Sequence, residues 1–368
     1  MICPEIIAND FVIYACILST RLTFNRHVLK YYGASHYAHK FDSQETTQEM
    51  NKRLITSLAA SLVFLGCASL NDNKEVAETV KNAATGSGSP EQAITNAANQ
   101  VTGELSGRAA AAIDNAIPNS STEISVQDVS KGGDSNIEIL NVTGFGESID
   151  GHTQNFVQSS AIRADSRTTI NLGLGRRYLS EDESMIFGLN AFFDIDPEYD
   201  HQRASIGAEV KSSALELTIN NYYGLTGFKD GKNGNSERAL GGYDVEVGAQ
   251  IPYIPAAKIY VQQFVWESHD GVADIEGNTY SLEFAQVFNS GISLEAGRRN
   301  FDGLTEDEDF VKLTYNLPYG DAPQNSASSL FSKNMFEKRS MKQDMLNKVR
   351  RHNQIVVQTK FSTAVGAN

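Results

Sequence analysis

The chain of 368 residues carries a formal net charge of −14, with 45 acidic against 31 basic side chains. That balance excludes nonspecific nucleic-acid binding, which needs a basic footprint, so no nucleic-acid partner is expected. Mean hydropathy is −0.32 and no run of ~18 apolar residues occurs, so no transmembrane helix is indicated. Barrel strands dilute their apolar residues by half and escape that test. The cysteines, Cys3, Cys16 and Cys67, all lie ahead of Ala68, which excludes a disulfide scaffold or zinc cluster from the body of the protein.

Residues 1–49 hold two of the cysteines and show no regular alternation; they read as a long leader or as an extension upstream of the true start. Met50 opens a better export signal. Lys52 and Arg53 form a basic start, Leu54 to Leu65 an apolar core, and Gly66-Cys67-Ala68-Ser69 a small-residue exit. Residues 50–68 are assigned on this ground as a signal peptide. Ordinary cleavage near Ala68 and lipidation of Cys67 both fit, although Phe64 and Leu65 depart from the residues a lipobox prefers.

Residues 69–120 are rich in Ala, Asn, Glu and Thr. The pattern predicts a helix capped by Ser89 with Pro90 at its first position, and Ile94, Ala97, Ala98, Val101, Leu105 and Ala109 recur at helical spacing. From residue 121 the period changes to two, the repeat of a strand whose successive side chains point to opposite faces. Thr122 to Val129, Asn136 to Phe145 and Phe156 to Arg163 are the first three strands. In the second, the apolar positions change face near Leu140, which predicts a bulge.

Four better-patterned strands lie between Arg167 and Phe228. Ile170, Leu172, Leu174 and Tyr178 oppose Thr169, Asn171, Gly173 and Gly175. Met185, Phe187, Leu189, Ala191 and Phe193 oppose Ile186, Gly188, Asn190, Phe192 and Asp194. Ala204, Ile206, Ala208 and Val210 then oppose Ser205, Gly207, Glu209 and Lys211, and Leu215, Leu217 and Ile219 oppose Glu216, Thr218 and Asn220. A soluble antiparallel sheet alternates in the same way, so period alone leaves that alternative open. Runs of about 9–11 residues favour a membrane barrel, as do Tyr178, Phe193 and Tyr223 near the run ends, where aromatic girdles sit.

The phrases GLGRRYL, GLNAFFDID, RASIGAEV and NNYYGLTGF, in this order and spacing, resemble the translocator β-domain of intimin- and invasin-type inverse autotransporters; the likeness extends more weakly from about Gln92 to Thr359. The resemblance implies an all-β, transmembrane antiparallel barrel of twelve strands in the bacterial outer membrane, preceded by a short periplasmic helical segment. It implies that the barrel exports and displays its C-terminal polypeptide, with outer-membrane lipid, periplasmic chaperones and the barrel-assembly machinery as partners. A peptidoglycan-binding LysM module is not evident. Adhesion in this family lies in immunoglobulin-like passenger domains. The sequence given ends at Asn368, so a truncated passenger or a small exposed tail is expected and a receptor is not.

Further along, Lys229 to Asn235 reads as a polar extracellular loop. Tyr243, Val245, Val247, Ala249 and Ile251 oppose Asp244, Glu246, Gly248 and Gln250. Lys258 to Trp266 is a strand whose orientation stays open, because both its faces mix apolar residues with Gln. Strands around Tyr280, Ile292 and Val311 bring the barrel, residues 121–318, to about twelve strands, an even number as bacterial barrels require.

If the apolar faces meet lipid, Glu209, Glu216, Asp244, Glu246, Glu283 and Glu295 point into the lumen, with Lys211, Arg299 and Lys312 as partial offsets. Residues 319–368 are a linker and a basic segment, and Arg350 to Lys360 (RRHNQIVVQTK) resembles the family's stretch that runs back up the lumen. Lys338, Arg339, Lys342, Lys348, Arg350, Arg351 and Asn353 are therefore expected in a threading segment that plugs the barrel.

No catalytic set, cofactor or metal is expected. His201 near Asp194, Asp196 and Asp200, the pair His269 and Asp270, and the run Glu306 to Asp309 all read as solvated loops. A passenger-free pore or structural barrel is the alternative function, and an outer-membrane enzyme using Asp194 and His201 at the rim is a more distant one.

Overall fold

The computed structural model describes residues 119–129, 136–146, 151–165, 167–285, 292–303, 306–318 and 331–360. The export signal, Cys67, the helical stretch before residue 119 and the linker at 319–330 lie outside them.

The strands are β1 (Ser120–Val129), β2 (Asn136–Phe145), β3 (Thr153–Ala164), β4 (Arg167–Leu179), β5 (Met185–Asp196), β6 (His201–Ser212), β7 (Leu215–Gly224), β8 (Lys229–Asp230), β9 (Ser236–Ala239), β10 (Gly241–Ile251), β11 (Ile254–Glu267), β12 (Ile275–Phe284), β13 (Ile292–Phe301), β14 (Glu308–Pro318) and β15 (Val357–Lys360). Twelve of them close a barrel in the order β1-β14-β13-β12-β11-β10-β7-β6-β5-β4-β3-β2. Every pairing is antiparallel, and β1 meets β14 with Ile124 opposite Tyr315. Closure removes edge strands from the barrel itself.

The distribution of side chains is inverted relative to a soluble sheet. Leu189, Ile206 and Leu215 are 69 %, 55 % and 60 % exposed, whereas Asp194, Arg203 and Glu209 are 0–2 % exposed on the inner face. An apolar outside around a charged inside is stable only in hydrocarbon. Tyr178, Tyr223 and Tyr253 stay exposed at strand ends, as interfacial aromatics do.

Local chemistry sets the turns. Between β5 and β6 the Asp196 carboxylate accepts from the Glu198 and Tyr199 N–H groups (2.9 and 3.2 Å), an Asx turn. Between β10 and β11 the reversal is Pro252-Tyr253, with Tyr253 at a φ of 65°. Inside, glycines make room for rings: a Cβ on Gly175 would sit 2.2 Å from the Phe156 ring, and one on Gly173 equally close to Phe192.

Three expectations change. The bulge near Leu140 is absent, because β2 keeps unbroken register with both β1 and β3. The apolar residues change face there for a packing reason: Leu140 and Val142 point inward onto Val349 of the C-terminal segment. The orientation of β11 is settled, with Ile259 and Val261 exposed and Tyr260, Phe264 and Trp266 buried inside. Finally, Lys229 to Asn235 is not a bare loop. It forms β8 and a single 3-10 turn leading into β9, and β15 joins as the third strand in the order β15-β9-β8.

Candidate functional site

The C-terminal segment is basic, and the interior of the barrel is where its charges find partners. One end of the barrel carries the β4–β5, β6–β7 and β10–β11 turns; the other carries β8, β9 and the β11–β12 loop. Residues 331–360 contact both ends. At the first, the Met341 N–H donates to Glu183 O (2.8 Å), and Met341 and Met345 pack on Leu179 and Ile186. At the second, the Leu240 N–H donates to Val356 O (2.9 Å), and Val357 to Lys360 pair with Ala239 to Ser236.

Between these ends the segment has no strand partner, so its backbone depends on wall side chains. Arg177 on β4 donates through Nη1 to Met345 O (2.9 Å) and Asn347 O (2.5 Å). Lys211 Nζ donates to Lys348 O (3.0 Å), and Asn220 Nδ2 to Arg350 O (3.0 Å). Gln158 Oε1 accepts from the Val349 N–H (2.8 Å). Tyr222 Oη accepts from the His352 N–H (2.8 Å), while Arg203 Nη2 donates to His352 O (2.7 Å). Buried peptide groups left unpaired would be costly. These residues provide what a neighbouring strand would.

Side chains add a second set of contacts. Arg350 lies among three carboxylates from three strands: Glu246 on β10, Glu283 on β12 (3.0 Å) and Glu295 on β13 (3.3 Å). Its guanidinium carbon is 3.7 Å from the centre of the Tyr260 ring. Arg351 pairs with Asp194 and lies over the Phe192 ring at 4.2 Å. Lys348 Nζ meets Glu123 Oε2 at 2.6 Å, and Asn353 bonds Glu138. Charge-assisted bonds of this kind are stronger than neutral ones, and the enclosing aromatic faces favour cations further.

The six carboxylates expected in the lumen thus divide. Glu246, Glu283 and Glu295 meet Arg350. Glu209 pairs within the wall, with Arg177 (2.5 Å) and Lys211 (2.9 Å). Glu216 pairs with Lys258, and Asp244 accepts from Asn220 and Tyr222 (2.8 and 2.6 Å). Of the residues expected to thread, Lys348, Arg350, Arg351 and Asn353 make these inner contacts. Lys338 and Lys342 are exposed beside the first ring of turns, and Arg339 bonds Asp344 of its own segment (3.0 Å). The short 3-10 turn Lys342–Leu346 spends chain length there before the segment extends.

Asp194 and His201 are not solvated rim groups. Asp194 is fully buried, taken by Arg203 (2.8 Å) and Arg351 (2.7 Å), and His201 is buried beside Glu237 (3.5 Å). Asp270 meets Lys360, and Glu308 meets Arg299 at 2.8 Å. Parity on β4 to β6 already puts Arg177, Asp194 and Arg203 on the inner face. Sequence reasoning passed over them because Asp194 sits close to a turn.

The fold and its filled interior define a transmembrane β-barrel of the outer-membrane type, traversed by its own C-terminal segment. The family profile described as inverse autotransporter, beta-domain matches residues 71–353. Relatives include the Invasin of Yersinia enterocolitica, 28 % identical over 139 residues, which are 36 % of this chain and 16 % of that protein. The inverse autotransporter adhesin YeeJ of Escherichia coli K12 is 35 % identical over 114 residues, 30 % of this chain and 5 % of that one. The Intimin of E. coli O127:H6 is 32 % identical over 113 residues, 30 % and 12 %. The matched stretch is thus a small part of each relative. A solved chain from a study of in-meso crystallization of membrane proteins superposes with a TM-score of 0.55 at 20 % identity, covering 66 % of this chain and 99 % of that one. The chain belongs to the inverse autotransporter β-domain family, and its place is the bacterial outer membrane.

Proposed function

We propose that the barrel exports its own C-terminal polypeptide and anchors it at the cell surface, with residues 341–360 as the segment held in the conduit. The observation that carries this reading is the run of wall side chains bonded to successive backbone groups from Met345 to Ile355. An interior that grips main chain suits a polypeptide as cargo. The ring of short turns then faces the periplasm and the β15-β9-β8 sheet faces outward, as short inner turns and longer outer loops do in such barrels. Residues 50–68 serve as the export signal in this reading, residues 69–120 remain periplasmic, and chaperones and the assembly machinery act on the way in.

Protease shaving of whole cells tests it, with an epitope placed after Lys360. Loss of the epitope from intact cells is expected. An epitope cleaved only after the cells are opened would overturn display and leave a passenger-free pore or structural barrel.

A further inference from the structure

Residues 331–341 reach the lumen by following the rim, and this path has its own chemistry. The Ser332 N–H donates to Tyr253 O (2.8 Å), and the Tyr253 N–H donates to Met335 O (2.9 Å). The Glu337 N–H donates to Gln250 Oε1 (3.3 Å), and Ser213 donates to Glu337 O. Ser340 Oγ donates to Glu183 Oε2 (2.5 Å). The segment is therefore tied in turn to the β10–β11, β6–β7 and β4–β5 turns, neighbours around the barrel.

Along this path Met341 is buried, but the other apolar side chains are exposed. Phe331, Met335 and Phe336 are 64 %, 50 % and 44 % exposed, beside Tyr253 at 50 %. Leu215, which opens β7 opposite Ala249 of β10, is exposed on the adjoining outward face. Exposed apolar surface thus occurs on the rim segment as well as on the outer face of the barrel, interrupted by exposed Asn334. Exposed Lys333 and Lys338 flank it, placed for their stems to follow the apolar surface and their ammonium groups to reach lipid phosphates. Apolar side chains exposed together in this way mark an interaction site.

We propose that residues 331–338 form an interfacial strap that inserts Met335 and Phe336 into the phospholipid leaflet at the ring of short turns. The strap fixes where the polypeptide leaves the rim for the lumen, so tension on the exported end is borne by lipid as well as by the lumen contacts. This rests on the reading of the outward face as lipid-facing, and the test separates the two.

The full chain is folded into phosphatidylcholine vesicles brominated high on the acyl chains, with Met335→Trp or Phe336→Trp as reporter. Trp266, the one native tryptophan, is 3 % exposed in the lumen and gives a constant background. Leu215→Trp is the lipid reference and Lys342→Trp the water reference. Quenching of both strap reporters by bromine to the extent seen at position 215, with protection from aqueous acrylamide, is the expected result. Acrylamide quenching equal to that at position 342 would overturn the strap, and so would protection from both quenchers, which would mean that protein covers it. An unquenched reporter at 215 would overturn the membrane reading as well.

Discussion

Arg351 of the threading segment and Asp194 of β5 meet where neither side chain is exposed, with Nη2 2.7 Å from Oδ2. The same Oδ2 accepts from Arg203 Nε of β6 at 2.8 Å. One carboxylate therefore joins the wall to the thread.

Removing that carboxylate leaves two buried guanidiniums without their shared anion. Breaking a buried pair from one side costs about 3 kcal/mol. Asp194→Ala is expected to lower the temperature at which the folded barrel loses its compact gel mobility. An unchanged transition would show that the carboxylate does not clasp the thread.

A thread that plugs the pore, as its charge leads one to expect, would on removal leave the triad of Glu246, Glu283 and Glu295 lining the vacated space. Deletion of the residues after Ser329 is expected to raise single-channel conductance in planar bilayers and to make the open pore cation-selective, because the wall carboxylates remain. Arg350→Glu, which repels the same triad, is expected to give frequent openings of the same selectivity. Conductance unaltered by the deletion would show that the segment is no plug.

Gly175 is held free of a side chain by the Phe156 ring, which in turn has the Arg177 guanidinium carbon 4.5 Å from its centre. Gly175→Leu is expected to displace that ring, and overpacking of this sort costs about 1–3 kcal/mol. Gly227→Ala, with nothing within 4 Å of its added Cβ, is the matched control. The yield of heat-resistant barrel after refolding should fall for the first and hold for the second.

In the β4–β5 turn the hydroxyls of Ser180 and Ser184 donate to the Asp182 carboxylate, lowering its pKa from an ordinary 3.8 to about 2. A depressed carboxylate pKa stabilises the fold above the unfolded value, and that contribution is lost as pH falls through the folded value. Asp182→Asn should therefore be less stable than the parent above pH ~4, with the difference shrinking to nothing as pH falls past about 2. A difference independent of pH would mean that the carboxylate's charge is not what the turn uses.

Much of the wall was legible in the sequence. Strict alternation over runs such as Met185 to Asp194 defines two faces, and six acidic members of the inner face were expected there, while Glu123, Glu138 and Asp194, which meet the thread, were not among them. Where alternation blurs, the cause lies in the thread. β11 mixes aromatics on its inner face because Tyr260 stacks on Arg350, and Trp266 lies 5.0 Å from His352 between ring centres. Leu140 and Val142 look out of place on β2 until Val349 is beside them. Likewise Ser236 to Ala239 is paired along its whole length by Val357 to Lys360, whereas nearby β8 meets only Ser236 and Glu237, and local pattern carries no record of so distant a partner.

The sequence by itself determined the barrel, because a strand's two-residue period and the contrast between lipid and water are both local properties of the chain. Only the tertiary structure decided what fills it. Which carboxylate meets which arginine depends on the axial position of an extended segment inside a closed wall. That position is set by contacts between residues more than a hundred apart, such as Arg177 with Asn347 and Arg351 with Asp194.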